Sequence, residues 1–226
     1  PVSATLRISQ RAQRIEPFHV MEIAKAAALL GQASAQSDKP MVYLNIGEPD
    51  FTAPPLVQQA AEKAIRDGTT QYTPAVGIAP LRERISQWYR SRFGVTVDAD
   101  RIIITAGASA ALQLACLALI DAGDEILMPD PSYPCNRQFV SAADGKPVLI
   151  PASAEERFQL SAASVAAHWK PGRTRGVLLA SPSNPTGTSI HPDELRRIHA
   201  LVAERGGVTI VDEIYLGLGF DPQYGH

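Results

Sequence analysis

The chain has 226 residues, of which 45% are hydrophobic and 19% charged, and its formal net charge is −2. That apolar fraction excludes wholesale disorder, and the near-neutral charge argues against general nucleic-acid binding. Two cysteines exclude a disulfide scaffold and a cysteine-based zinc module, and such sparse use suits a reducing, cytoplasmic setting.

A chain of this size buries roughly 70% of its extended-chain surface, so a real core is available. No apolar run reaches about 18 residues, so no transmembrane helix is expected. Residues 1–16 mix Arg with Ser and Gln and lack an apolar centre, which is not the pattern of a secretory signal. The same Arg-bearing, acid-poor start does match part of a transit-peptide pattern.

In chain order, residues 17–30 carry Val20, Ile23, Ala24, Ala27 and Leu30 near helical spacing, with Gly31 as the stop. Residues 32–40 are a polar linker, and Met41 to Ile46 reads as a short strand. Pro54 and Pro55 open a helix that runs to Asp67, with Gly68 as its left-handed end. A second helix, residues 78–93, is ended by Gly94. Arg82, Arg84, Arg90 and Arg92 are expected on its solvated face. Residues 102–105 read as a buried strand, and residues 109–122 as a nearly all-apolar, buried helix.

Alternation continues with a strand at 125–128, a helix at 134–143 and a strand at 147–150. A surface loop at 152–157 precedes a helix at 161–168, and a strand follows at 176–180. An amphipathic helix at 192–205 has Asp193 and Glu194 at its positive end, and a last strand covers 208–211. Short, non-alternating apolar strands between helices indicate an α/β fold, a mainly parallel sheet with helices on both faces. The domain reading is an N-terminal arm at residues 1–45, preceding the sheet domain at residues 46–226.

In open parallel sheets ligands bind at the carboxyl ends of the strands. After the predicted strands come Gly107, Ala108 and Ser109 opening a helix, then Tyr133, then Asn184, then Asp212 and Tyr215. Free N–H groups at a glycine-led helix start bind a phosphate. A flat aromatic stacks on a ring, a carboxylate ending a buried strand seeks a cationic or N–H partner, and an amide and a phenol address a ring substituent. Together they describe a site for a phosphorylated heteroaromatic ligand with a basic nitrogen, which pyridoxal 5′-phosphate satisfies. Taken singly, each has an ordinary reading as a turn, a cap or a core residue. Their common position at strand ends is what joins them.

These stretches resemble the class I and II aminotransferases, pyridoxal-phosphate enzymes of fold type I. The resemblance is carried by Asn45 to Phe51, Tyr72 to Gly77, Leu81-Arg82, Thr105 to Leu112, Pro131 to Pro134, Ser183-Asn184-Pro185-Thr186-Gly187, and Asp212-Glu213-Ile214-Tyr215, in family order from about residue 15 to the end. It implies that Asp212 pairs with the pyridine nitrogen, and that Asn184 and Tyr215 hydrogen-bond the ring's phenolic oxygen. It implies that Tyr133 stacks on the ring and that Gly107, Ala108 and Ser109 hold the phosphate. Gly47 would lie against the substrate carboxylate. Tyr72 would reach the phosphate of a neighbouring subunit, so a homodimer is implied.

One departure stands out. The lysine that family members link to the cofactor lies beyond the Asp-Glu-x-Tyr motif, and the chain ends at His226, soon after Tyr215. Its lysines are Lys25, Lys39, Lys63, Lys146 and Lys170, none in that context. The chain therefore reads as the N-terminal portion of a PLP-dependent aminotransferase, with the cofactor-binding large domain incomplete and no catalytic residue of its own. It is expected to be inactive alone, while its parent moves an amino group between an amino acid and a 2-oxo acid.

Two alternatives remain open: a lyase or synthase on the same scaffold, and a non-catalytic ligand-binding module of the same fold. No helix-turn-helix occurs in the first 40 residues, which argues against the regulator form of that module. The histidines lack metal spacing, no metal site is expected, and neither nucleic acid nor membrane is an expected partner. His191, before Pro192, reads as a surface or capping residue. Cys116 reads as core, and Cys135 as near the site.

Overall fold

The structure is a computed structural model and describes residues 6–224. The first residues of the N-terminal segment and the terminal His226, named above, lie outside the described residues. The chain divides into two compact units, residues 17–103 and a second made of residues 1–16 with 104–226.

The second unit contains a four-stranded sheet. Its strands are β1 (Glu125–Asp130), β2 (Lys146–Pro151), β3 (Thr174–Ala180) and β4 (Val208–Asp212), in the order β2-β1-β3-β4 with every neighbouring pair parallel. Its helices are α1 (Gln10–Gln13), α5 (Ala108–Leu119), α6 (Pro134–Ala142), α7 (Ala162–His168) and α8 (Pro192–Glu204). Side chains along a strand point alternately to its two faces, and two cores result. Leu127, Val177 and Leu179 pack with Val165 of α7 and with Ile198 and Val202 of α8. Ile126, Met128 and Leu178 pack with Leu112 and Cys116 of α5 and with Val140 of α6. The unit is thus a three-layer α/β arrangement, with α5 and α6 on one face and α7 and α8 on the other.

Continuous apolar runs suit strands covered on both sides. In β1, Ile126, Leu127 and Met128 are fully buried, each stabilising the fold by roughly 1.5–3 kcal/mol relative to an exposed side chain. The one charge in that strand's buried run, Glu125, meets Arg173 at 2.6 Å and Lys170 at 3.3 Å. At the chain start, Arg11 and Arg14 both bind the Asp144 carboxylate, at 2.6 and 2.7 Å, which anchors α1 beside the α6–β2 turn.

The His191 cap agrees with the sequence, and α7 has a cap that the sequence reading did not name. His191 Nδ1 accepts the Asp193 N–H at the start of α8, and Ser161 and Ser164 form a reciprocal cap on α7. Glu194 reaches further than its place at the positive end of α8 suggests. Its carboxylate also accepts the Ala162 N–H of α7 at 2.7 Å.

The first unit holds α2 (His19–Ser34), α3 (Pro55–Arg66), α4 (Ala79–Phe93) and a 3-10 turn (Ala99–Arg101). Gly68 and Gly94 take the left-handed conformation expected just beyond α3 and α4.

Five sequence expectations are corrected. Gly31 does not stop α2, which continues to Ser34; there the missing side chain leaves room for the Tyr43 ring, whose hydroxyl would lie 1.7 Å from an added Cβ. Residues 41–46 form no strand, and Val42 and Leu44 are exposed. Residues 102–105 likewise form no strand. A strand is defined by its neighbour, and among the described residues neither segment has one. The apolar helix α5 is buried on one side only, with Leu114 and Leu117 about half exposed. Arg82 does not lie on a solvated face: its guanidinium donates to the carbonyls of Ala99 and Ile102 and pairs with Asp100, closing the end of that unit.

Among the described residues no helix is long and apolar enough to cross a membrane.

Candidate functional site

The strand order sets the location. The chain leaves β1 through α6 on one face to reach β2, and leaves β3 through α8 on the other face to reach β4. Connections diverging to opposite faces open a crevice outside the carboxyl ends of β1 and β3. A cavity of about 130 Å³ occurs there, and Ala108, Ser109, Tyr133, Asn184, Asp212 and Tyr215 all line it. The carboxyl ends of three strands supply four of these: Tyr133 follows β1, Asn184 follows β3, and Asp212 and Tyr215 end and follow β4.

The fifth and sixth come from the start of α5. Gly107 precedes it with φ 83° and ψ 171°, backbone that only glycine adopts without strain. No side chain caps this helix, which leaves its first N–H groups open to an anion. A Cβ on Gly107 would meet nothing within 4 Å, so the space beside the helix start is clear. Although residues 102–105 are not a strand, the start of α5 reaches the same cavity as the strand ends.

Asp212 pairs across the sheet with Ala180, and its Oδ1 accepts the Ile214 N–H at 3.1 Å. The Tyr133 phenol is pushed up to about 12, through its hydrogen bond with Cys135, through burial, and through the nearby Tyr215 and Asp212. Tyr133 thus stays protonated at neutral pH. Cys135 enters the site in this way, as a neighbour of the aromatic. Cys116 lies fully buried in the core, and burial pushes its thiol up to about 11.

Gly47 and Tyr72 belong to the other unit. Both are exposed there, and Tyr72 shares a shallow hollow with Thr70 and Gln71. Four lining residues had no role in the sequence reading: Leu112, Ala180, Pro182 and Ile214. Leu112 sits one helical turn beyond Ala108 and Ser109, so helical spacing was a usable signal for it. A cradle of open N–H groups, a planar phenol, a strand-end carboxylate and two further hydrogen-bonding side chains fits pyridoxal phosphate in donor chemistry.

The comparisons with known proteins agree. Residues 39–225 match the family described as aminotransferase class I and II. A valine–pyruvate aminotransferase of Mycobacterium tuberculosis is 40% identical over 95% of this chain and 53% of its own length. An aspartate aminotransferase of Rhizobium meliloti is 35% identical over 97% of this chain and 54% of its own. Among solved structures, the aspartate aminotransferase of Thermus thermophilus with maleate superposes with a TM-score of 0.90 at 30% identity, covering 98% of this chain and 57% of that one. The chain spans about half the length of the curated relatives it matches. The parallel sheet is that of the fold-type-I neighbours, and members of this family depend on pyridoxal phosphate. With the fold, the strand-end cavity and these matches in agreement, the chain belongs to the class I and II aminotransferases.

Proposed function

We propose that the protein to which these residues belong transfers an amino group between an amino acid and a 2-oxo acid, and that this chain supplies most of the cofactor cradle. The observation that carries the reading is the single cavity lined by the α5 start, Tyr133, Asn184, Asp212 and Tyr215. Asp212 holds a proton on the pyridine nitrogen. Asn184 and Tyr215 donate to the ring's phenolic oxygen. Tyr133, neutral across the physiological range, covers the ring face. The Ala108 and Ser109 N–H groups and the turn at Gly107 hold the phosphate. When bound, the cofactor supplies an electron sink for the substrate's α-carbon.

In the same reading Gly47 lies against the substrate carboxylate and Tyr72 reaches the phosphate bound by a second subunit, so the working form is a homodimer in the cytoplasm. Residues 1–45 act as the arm and residues 46–226 as the cofactor domain.

The chain alone is proposed to be inactive. Lys146 begins β2 and Lys170 pairs with Glu125 at the beginning of β1. Both therefore sit on the amino-terminal edge of the sheet, opposite the cavity. Lys25, Lys39 and Lys63 belong to the other unit.

Calorimetric titration with pyridoxamine 5′-phosphate, which has no aldehyde to react with surface lysines, tests the cradle. The chain is expected to bind it, and Asp212→Asn to weaken it about 10- to 100-fold by removing a charge-assisted bond. Binding indifferent to Asp212→Asn would sink the reading. Oxo-acid formation from a panel of amino acids by the verified 226-residue chain would overturn its inactivity.

A further inference from the structure

Gln159 lies outside every motif and is not among the residues lining the cavity, yet it is 6% exposed. Its Nε2 donates to the Ala180 carbonyl at 3.1 Å and to the Thr188 carbonyl at 2.9 Å, with the Thr188 hydroxyl at 3.4 Å. Ala180 ends β3 and is the cross-strand partner of Asp212. Thr188 closes the loop that carries Asn184: its carbonyl also accepts the Ser183 N–H at 2.9 Å, and its hydroxyl meets that of Thr186 at 2.8 Å. One amide therefore ties both ends of the Asn184 loop to the strand end beside Asp212. Two further bonds hold the same loop, from the Ser181 N–H to the Asp212 carbonyl and from the Ile190 N–H to the Ser181 hydroxyl.

Two features show that this donor is not incidental packing. The amide's Oε1 is buried and has no hydrogen-bond partner, an arrangement that disfavours a polar side chain unless its other half is needed. The chain also reaches Gln159 through two consecutive non-glycine residues in the left-handed region, Arg157 and Phe158, each at φ 56°. Such strain persists only where the surroundings over-determine it.

We propose that Gln159 is a positioning residue for the cofactor ring, holding the Asn184 loop at the distance from Asp212 that lets Asn184 address the ring's phenolic oxygen. It acts through the loop and does not touch the ligand. The proposal rests on the cofactor reading of the cavity given above.

The test compares two ligands, pyridoxamine 5′-phosphate and its 3-deoxy analogue, which lacks the phenolic oxygen. Each is titrated calorimetrically into the unsubstituted chain, Asn184→Ala, Gln159→Met and Gln159→Lys. Near-UV circular dichroism checks the fold of each. The unsubstituted chain is expected to prefer the full ligand by about tenfold for each of the two hydrogen bonds, from Asn184 and from Tyr215, and so by about 100-fold. Gln159→Met keeps the volume and removes the donor, and is expected to lose the Asn184 share of that preference, about tenfold, while binding the analogue as before. Gln159→Lys keeps a donor toward the same three oxygens and is expected to retain the preference. Equal losses for both ligands would mean a merely structural role and overturn the proposal. A preference unchanged in Gln159→Met, or lost in a folded Gln159→Lys, would overturn it too. If Asn184→Ala keeps the preference undiminished, the reading of the cavity itself fails, whatever Gln159 does.

Discussion

Replacing Gly107 with Ala separates two costs that the start of α5 combines. The added Cβ meets no atom within 4 Å, so no steric term enters. What remains is backbone strain, because φ 83° with ψ 171° lies in a region essentially reserved for glycine, at roughly 1–3 kcal/mol. The chain has two responses. If it keeps the conformation, urea unfolding should show a loss of about 1–3 kcal/mol while pyridoxamine 5′-phosphate still binds within about threefold. If it relaxes, the Ala108 and Ser109 N–H groups swing away, stability recovers, and affinity should fall about tenfold or more, since bonds to a charged group contribute about 1.5–3 kcal/mol each. Gly47→Ala is the control. Its Cβ also meets nothing, and its φ lies outside the left-handed region, so stability should change by no more than about 0.5 kcal/mol. Should Gly107→Ala leave both stability and affinity unchanged, the assignment of the helix start as a strained anion cradle is wrong.

Two further substitutions test the frame that holds the site. In Glu194, burial alone would push the carboxyl up, but the Ala162 N–H, the Arg197 guanidinium and His191 outweigh it and hold the group below its ordinary value. Its folded value is thus below its unfolded one. The stabilisation is present above the ordinary carboxylate range and lost as pH falls through the folded value, so the stability gap between the unsubstituted chain and Glu194→Gln should be open at about pH 7 and narrow as pH falls below the ordinary carboxylate range. In β3, Gly176 pairs with Val208, and a Cβ there would come within 2.1 Å of the Val208 carbonyl oxygen. Backbone cannot swing aside, so Gly176→Ala should destabilise by about 3 kcal/mol, near the upper end of overpacking costs, and a thermal midpoint within a degree of the unsubstituted chain would refute it.

The parts of the fold legible in the sequence were those whose cause is local. Helices α3, α4, α6, α7 and α8 carry their own signals: Pro near the first turn, Ser161 as a cap, Gly68 and Gly94 just beyond the end. The four observed strands are short apolar runs flanked by such helices, and each found a parallel neighbour. Residues 41–46 and 102–105 have equally apolar compositions and form no strand. Composition reports a willingness to be covered, whereas a strand needs a partner, and partners are a property of the whole chain. Gly31 failed as a stop for a related reason. Glycine's freedom permits an end but does not compel one, and here contact with Tyr43 uses the missing side chain within a helix that continues.

The site divides along the same line. Tyr133, Asn184, Asp212 and Tyr215 could be found because each immediately ends or follows a strand, and parallel strands gather their carboxyl ends on one edge. Gln159 could not, because its acceptors lie 21 and 29 residues away and nothing adjacent to it marks it as polar by design. Sequence therefore exposes the groups that line the cavity, since the fold delivers them by a rule, and hides the groups that face those groups. Orientation of Asn184 depends on the hidden kind. An amide displaced by an ångström loses most of a hydrogen bond. Transfer of a motif from a relative consequently carries the identity of the ligand-facing side chain but not its aim. In this chain the aim is set by a glutamine buried beneath a loop, and that is where differences in ring binding among otherwise matching chains should first be sought.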